Sequence, residues 1–466
     1  MRAAGKDRAG APPGPWRDAD FRRLWVGQTA SQFGAQATQV VLPLIAVVSL
    51  HAGSGQLGFL RAVEQAPILL LSLLAGAWVD RRCARTVMVL ADYGRALALA
   101  VIPAAGLLGL LGLPVLFVVA LLVGVLSVFF DVAYQASLVR LVDRDQLIRG
   151  NSALEGSRSA AQIGGPALGG TLVSVFSGPV AVVTGAFFFA LSSVSIRRIR
   201  RHEPVPVSGE GRTGVRRQIH EGLRFVAGNA SLRAVGVASA LFQFWFAALM
   251  TVYLLYLPRE LHLSGTAIGL ALAATGPGAV VGSMLAARLP GRFGYGKVLV
   301  PSAVIADGVM LCVPALHGTA AVTLPVLIGV NFAFGTFGQL VNVTLMAVRQ
   351  AITPVHMQGR VVATINFAGM GPTPVGSLLG GFLAGHWGLR TSLLVTAVAL
   401  SLSPLFMAFS PLARLGRRLP CEQRTAPVST ARTAPAPSVT RRWSRDGARP
   451  WAKAGRAVRQ RLSRVR

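Results

Sequence analysis

Apolar residues recur along this chain in runs of roughly 20, each long enough to cross a ~30 Å hydrocarbon layer as a helix. Short polar breaks separate the runs. The pattern predicts helices over 24–49, 57–79, 86–110, 114–137, 151–176 and 179–196, then over 234–257, 266–288, 297–316, 321–347, 360–384 and 389–410. Six runs therefore fall on each side of a polar stretch at 197–233, in which Pro204, Pro206 and Gly209 precede Ile219, Leu223 and Val226 at helical spacing. An interfacial helix is expected over Val215 to Val226. After Pro411 the chain is rich in Arg, Pro, Ser, Thr and Ala and is expected to form a disordered basic tail against anionic lipid. The expected organisation is a cytoplasmic head (1–23), a six-helix bundle (24–196), a basic linker (197–233), a second six-helix bundle (234–410) and the tail (411–466). This fold class is an all-α polytopic membrane protein of about twelve transmembrane helices in two pseudo-symmetric bundles.

Composition agrees. Of 466 residues 53% are apolar and 14% charged, and the mean hydropathy is +0.56, outside the range of water-soluble proteins. Charge adds orientation. The formal excess of +29 would suggest a nucleic-acid partner on a soluble protein. Here the basic residues collect in alternate breaks: Arg22 and Arg23 in the head, Arg81, Arg82 and Arg85, Arg140, Arg144 and Arg149, the linker, then Arg288, Arg292 and Lys297, and Arg349 and Arg360. The intervening breaks hold little beyond Arg259 and Arg390. That alternation places both termini in the cytoplasm of a cell with the chain in its inner membrane. No signal peptide is read before Trp25, and Cys83, Cys312 and Cys421 form neither a disulfide framework nor a metal-ligand spacing. The histidines likewise show no ligand spacing, so no metal is expected.

The halves show an internal repeat. Gly169-Gly170 and Gly380-Gly381 stand 211 residues apart (380 minus 169), and the same shift brings Arg149 onto Arg360 and Arg81 onto Arg292.

Ionisable residues inside apolar runs are costly in a bilayer, so each is a functional candidate. Asp92, Arg95, Asp131, Glu155 and Arg158 fall in one slab toward the cytoplasm, read as an inner gate. Pairing Asp92 and Glu155 with the arginines leaves Asp131 as the carboxylate free to carry a proton. Asp307, mid-run and without a basic neighbour in its own helix, is a second candidate. Glu64, one turn from Arg61, is a third and would select cationic substrates if it faced the cavity. Each is otherwise a structural hydrogen bond to another helix. The segment Gly291 to Val298 matches most of a phosphate-binding loop but ends in Val298 where Ser or Thr must hold magnesium, so no nucleotide is expected.

The loop Gly76-Ala-Trp-Val-Asp80-Arg81-Arg82-Cys-Ala-Arg85 resembles the signature loop of the major facilitator superfamily. Gly76 would admit a neighbouring helix, Asp80 would meet a helix N-terminus or an arginine, and Arg81 and Arg85 would anchor the loop. In the second half Gly291 stands where Asp80 does. Phe129 to Gln135, Asn151 to Arg158, Gly164 to Gly170, Arg349 to Pro354 and Gly359-Arg360 are similar to the branch holding macrolide-efflux proteins and the enterobactin exporter. Within it, Gly164, Gly165, Pro166, Gly169 and Gly170 resemble the antiporter motif of drug exporters. The resemblance implies the major facilitator fold and a secondary transporter, not an enzyme, without cofactor and working as a monomer. It implies proton-coupled export of small amphipathic molecules such as antibiotics or siderophores. Its partners would be the bilayer, protons and a small-molecule substrate, with no nucleic acid. Metabolite import by the same fold and a transporter-derived receptor or scaffold are the alternatives.

Overall fold

The computed structural model describes residues 16, 18–79, 82–141, 147–176, 178–200, 215–354 and 357–417. The first half consists of α1 (Ala19–Leu44), continued by a wider π turn (Ile45–Ser49), α2 (Ser54–Val79), α3 (Ala84–Leu107), α4 (Leu113–Leu141), α5 (Leu147–Val175) and α6 (Gly178–Arg197). After the linker helix α7 (Val215–Gly228) come α8 (Ala230–Arg259), the broken pair α9 (Gly265–Ala273) and α10 (Thr275–Ala286), a short α11 (Leu289–Phe293), and α12 (Tyr295–Val309) with a 3-10 extension (Met310–Ala315). The chain then forms α13 (Ala320–Ile352), the broken pair α14 (Gln358–Met370) and α15 (Thr373–Trp387), and the broken pair α16 (Leu389–Leu400) and α17 (Leu402–Phe409).

Proline sets the breaks. α9, α14 and α16 end at Ala273, Met370 and Leu400, each four residues before Pro277, Pro374 or Pro404. Those are the carbonyls whose helical donor the proline ring removes. With each broken pair counted as one span, twelve spans result. Nine helical stretches among the described residues are long and apolar enough to cross a membrane. α2, α5 and the α14–α15 pair complete the set by their packing, α2 against α4, α5 against α1, and α15 against both α8 and α2. Large apolar side chains such as Leu74, Leu107, Phe187, Met284 and Phe409 are exposed on the outer faces, where lipid would cover them.

Two seams join the bundles, α2 against α15 and α5 against α9. Lipid tails are as apolar as leucine, so helices gain by close approach, and small residues permit it. A Cβ added to Gly58 would lie 2.8 Å from the Ser377 carbonyl oxygen and 3.0 Å from Gly381 Cα; one added to Gly269 would lie 2.6 Å from the Pro166 oxygen and 3.0 Å from Gly170 Cα. Every atom in the second contact stands 211 residues from its counterpart in the first. The turns beside the seams repeat as well. His51 and His262, also 211 apart, both adopt left-handed backbone (φ 51 and 49). The amide of Ala52 donates to Ala46 O (2.8 Å) as that of Leu263 does to Leu257 O (3.2 Å).

Both seams lie at the end of the bundles away from the linker. At the linker end, α7 packs on α14 and α8: a Cβ on Gly222 would meet Thr364 Oγ1 at 2.7 Å, Val226 is buried, and Arg360 Nη1 donates to Glu221 Oε2 at 2.5 Å. Leu223, expected on the same face as Val226, stays exposed. The chain also remains ordered beyond the expected boundary at 411. A 3-10 turn (Pro411–Arg414) and Leu415–Gly416 fold over the start of α12, where the Tyr295 and Gly296 amides donate to Gly416 O (3.1 Å) and Leu415 O (2.9 Å). Those two amides belong to the phosphate-loop-like segment, so protein carbonyls occupy donors that a phosphate would need.

Candidate functional site

A cavity of about 820 Å³ lies between the bundles, beneath the two seams. From the first bundle Gln36 and Gln39 of α1, Arg61 of α2, and Arg158, Gln162 and Pro166 of α5 reach its wall. The second bundle contributes Ser239 and Gln243 of α8, Asp307 of α12, Asn331, Gln339, Asn342 and Arg349 of α13, and Asn366 of α14. One side is aromatic. Phe242 and Phe246 stack at 5.3 Å with planes 10° apart, and Phe246 continues onto Phe334 at 5.4 Å and 7°. One turn separates Phe242 from Phe246, and α13 brings Phe334 alongside. Tyr253, deeper on α8, accepts from Asn331 Nδ2 at 2.8 Å, which fixes that part of α13 to α8. An apolar aromatic face and a wall of amides suit a ligand that is itself part apolar and part polar.

The ionisable candidates separate into three environments. Asp92 and Arg95 are buried inside the first bundle, not on the cavity wall. Arg95 donates to Asp92, to Ser31 Oγ (3.1 Å) and to Ser127 Oγ (3.3 Å), while its guanidinium lies 4.5 Å from the Phe130 ring centre and 4.3 Å from that of Phe189. This knot ties α1, α3, α4 and α6 together. Asp131 is exposed on the linker half of α4, within electrostatic reach of both Arg95 and Arg158. The carboxylate expected to stand alone in the slab thus has two arginines near it. Asp307 is 2% exposed, lines the cavity, and has no hydrogen-bond or ionic partner among the described residues. Glu64 is half-buried beside Arg61 and is not on the cavity wall, which takes Arg61 instead.

The remaining sequence candidates are placed as follows. Gly164 faces Phe33, Gly165 faces Gln36 and Ala37, and Gly169 faces Ala37 and Val41, so these three set α5 against α1, while Gly170 sets it against α9. Pro166 is on the cavity wall. Arg85 donates to Ile199 O and holds α3 to the end of α6. Arg292 is exposed over the Phe293 ring, Arg349 lines the cavity with Nη1 3.5 Å from Asn366 Oδ1, and Arg360 binds Glu221. Asp80 and Arg81 lie outside the described residues, as do the surroundings of Gly76 and the side chain of Glu155. Sequence reasoning missed Arg61 as a wall residue, along with the amides and the phenylalanine stack. The i, i+4 spacing of Phe242 and Phe246 was the one signal for the stack.

The profile of the family described as transmembrane secretion effectors, a branch of the major facilitator superfamily, matches residues 11–432. The chain belongs to this family. Among curated relatives, this chain is 28% identical over 362 residues to the multidrug efflux pump Tap of Mycolicibacterium fortuitum, covering 74% of this chain and 84% of that one. It is 28% identical over 377 residues to Tap of Mycobacterium tuberculosis, covering 76% and 84%. Solved structures of major facilitator transporters share its fold, among them the following two. A bacterial homologue of the human lysosomal transporter Spinster, inward-facing and unoccupied, superposes with a TM-score of 0.66 at 15% identity, over 87% of this chain and 98% of that one. A bacterial homologue of the iron transporter ferroportin, also inward-facing, gives 0.64 at 18% identity, over 83% and 97%. The protein is therefore a multi-pass membrane transporter of the major facilitator type and not an enzyme.

Proposed function

We propose that this transporter exports small amphipathic molecules across the inner membrane in exchange for protons, by alternating access, as a monomer with its termini and linker in the cytoplasm. The two bundles, 24–196 and 234–410, are the moving bodies. The observation that carries the proton part is Asp307, a carboxyl on the cavity wall without a partner among the described residues. An unpaired charge there is costly, and taking up a proton removes the cost. Proton and substrate are then handled in one cavity, so that each can bias the orientation in which the other is released. Asp131 has Arg95 and Arg158 near it and is better suited to holding the linker-end half of the gate with Glu155, Asp80, Arg81 and Arg85. The aromatic stack and amides support an amphipathic cargo, and relatives named as multidrug efflux pumps support the outward direction.

Everted vesicles with an acid interior, given a panel of labelled amphipathic compounds of both charges, test the proposal. Accumulation is expected to collapse with the pH gradient. Asp307→Asn is expected to abolish gradient-driven accumulation and keep substrate–substrate exchange, whereas Asp131→Asn is expected to slow both and leave them coupled. Accumulation indifferent to the gradient would overturn proton coupling, and uptake by right-side-out vesicles alone would favour import.

A further inference from the structure

We propose that the ligand for which this cavity is built carries an acidic group beside an aromatic ring system. This deepens the reading above and rests on it only in taking the cavity as the substrate site. Among the described residues the wall presents three guanidinium groups, Arg61, Arg158 and Arg349, against one carboxyl, Asp307.

The molecule holds its own control. Arg95, buried inside the first bundle, has Asp92, two serine hydroxyls and two phenylalanine faces around it; its Nε is unbonded too, but both of its terminal nitrogens are hydrogen-bonded. The cavity arginines are left short of acceptors. Nε of Arg61 and Nε of Arg349 are buried without a hydrogen-bond partner, and Arg349 otherwise reaches Asn366 only at 3.5 Å. Arg158 is exposed, with Asp131 within electrostatic reach. A buried charged donor left unsatisfied is among the costlier defects in a protein interior, so these groups gain most from an acceptor that arrives with the ligand. The planar guanidinium fork matches carboxylate, sulfonate and phosphate oxygens in pairs.

Position supports the same conclusion. Arg61 lies seven residues into α2 from the seam end, roughly 10 Å down at 1.5 Å per residue, so it stands at the closed end of the cavity. Arg349, three residues from the end of α13, stands at the linker end. An anion entering from that end meets a guanidinium first, finds Arg158 part-way and reaches Arg61 last, with the Phe242–Phe246–Phe334 stack to receive its rings. Glu64 and Asp131, off the wall but within electrostatic reach of Arg61 and Arg158, reduce the long-range field. Selection therefore rests on direct hydrogen bonds to the wall. A cation would place like charge against three arginines.

Dansylglycine, dansylamide and dansylcadaverine share one fluorophore and differ in charge, and their binding to the purified full-length protein in detergent can be followed by dansyl fluorescence. Dansylglycine is expected to bind about tenfold more tightly than dansylcadaverine. Arg61→Gln is expected to weaken dansylglycine by about tenfold and to leave dansylamide within about twofold, and Arg158→Gln, measured in parallel, should act in the same direction should Arg61→Gln fail to fold. Dansylcadaverine binding as tightly as dansylglycine, equal weakening of all three probes, or no binding by any of them would overturn the proposal. No gradient is present in this measurement, so a failure of proton-coupled export leaves its outcome unaffected, and the reverse holds too.

Discussion

The two seams between the bundles are copies in their backbone and differ in what pins them. Gly58 and Gly381 in one, Gly269 and Gly170 in the other, occupy the same positions of the repeat and make the same close contacts. Polar pins do not repeat. Across the α2–α15 seam Arg259 Nη2 reaches over to donate to the Ala52 carbonyl at 2.5 Å; the residue 211 positions earlier is Val48. Across the α5–α9 seam the Thr266 amide donates to Ser174 Oγ at 2.6 Å; the counterpart of Ser174 is Gly385. Duplication accounts for the steric fit, since a helix pair that touches backbone to backbone tolerates no side chain on either copy. Each half then supplies its own hydrogen bond, so the seams differ in how they respond to charge, salt and substitution.

The strongest test of equivalence is steric. A Cβ on Gly170 would stand 2.6 Å from Gly269 Cα and 2.8 Å from Gly269 N, whereas one on Gly381, its counterpart in the repeat, would stand 3.0 Å and 3.3 Å from Gly58 Cα and N. All of these neighbours are backbone, so no rotamer change relieves the clash. Gly170→Leu is expected to force the seam open at a cost of ~1–3 kcal/mol or more, lowering transport by over about tenfold. Gly381→Leu should act in the same direction but less. Initial rates in proteoliposomes rank the two; a neutral Gly170→Leu, or a reversed order, would mean that the seam distances do not control the cycle.

Much of this architecture was legible in the sequence. Twelve apolar runs, the helix after the linker and the offset of 211 follow from residue pattern alone, because a membrane demands long apolar helices and because glycine is the residue that backbone contact requires. The cavity wall was not legible. Arg61 and Glu64 sit one turn apart on α2, yet only Arg61 reaches the cavity. On a helix surrounded by lipid and protein the outward face is as apolar as the packed one, so periodicity does not tell a lipid face from a cavity face. Counting charges placed Asp131 alone in the slab, but pairing depends on which helices meet, and α4 brings Asp131 near Arg95 and Arg158. The helix breaks at Ala273, Met370 and Leu400 follow from prolines that a hydropathy reading passes over.

The charged pin comes next in size. Arg259→Ala removes a charge-assisted hydrogen bond worth ~1.5–3 kcal/mol from one state of the transporter only, so it should shift the balance toward opening at the seam end by about tenfold. Arg259→Lys keeps a charge at the site and should recover part of the shift. Spin labels at Leu108→Cys in the first bundle and Thr319→Cys in the second, with the native cysteines replaced, report the distance across that end. A distance distribution unchanged by Arg259→Ala would mean that the glycine contacts hold the seam without the pin.

The smallest effect belongs to the neutral pin. Ser174 accepts from an amide in the first turn of α9, one of the four that a helix leaves without an internal partner, and Ser174 is exposed, so water can replace the hydroxyl. Ser174→Ala is therefore expected to cost only ~0.5 kcal/mol, changing transport by less than about threefold. The asymmetry between the seams also permits a transplant. Gly385 occupies the position of Ser174 in the other seam, and a Cβ there would meet Ser54 Oγ at 3.0 Å, a side-chain contact that rotates away. Gly385→Ser in the Arg259→Ala background should offer its hydroxyl to the Gly55 amide, the counterpart of Thr266, and recover about two- to threefold of the lost closure in the same spin-label measurement. If the transplanted serine recovers nothing, the seams match in their glycines but not in the register of the turns beside them.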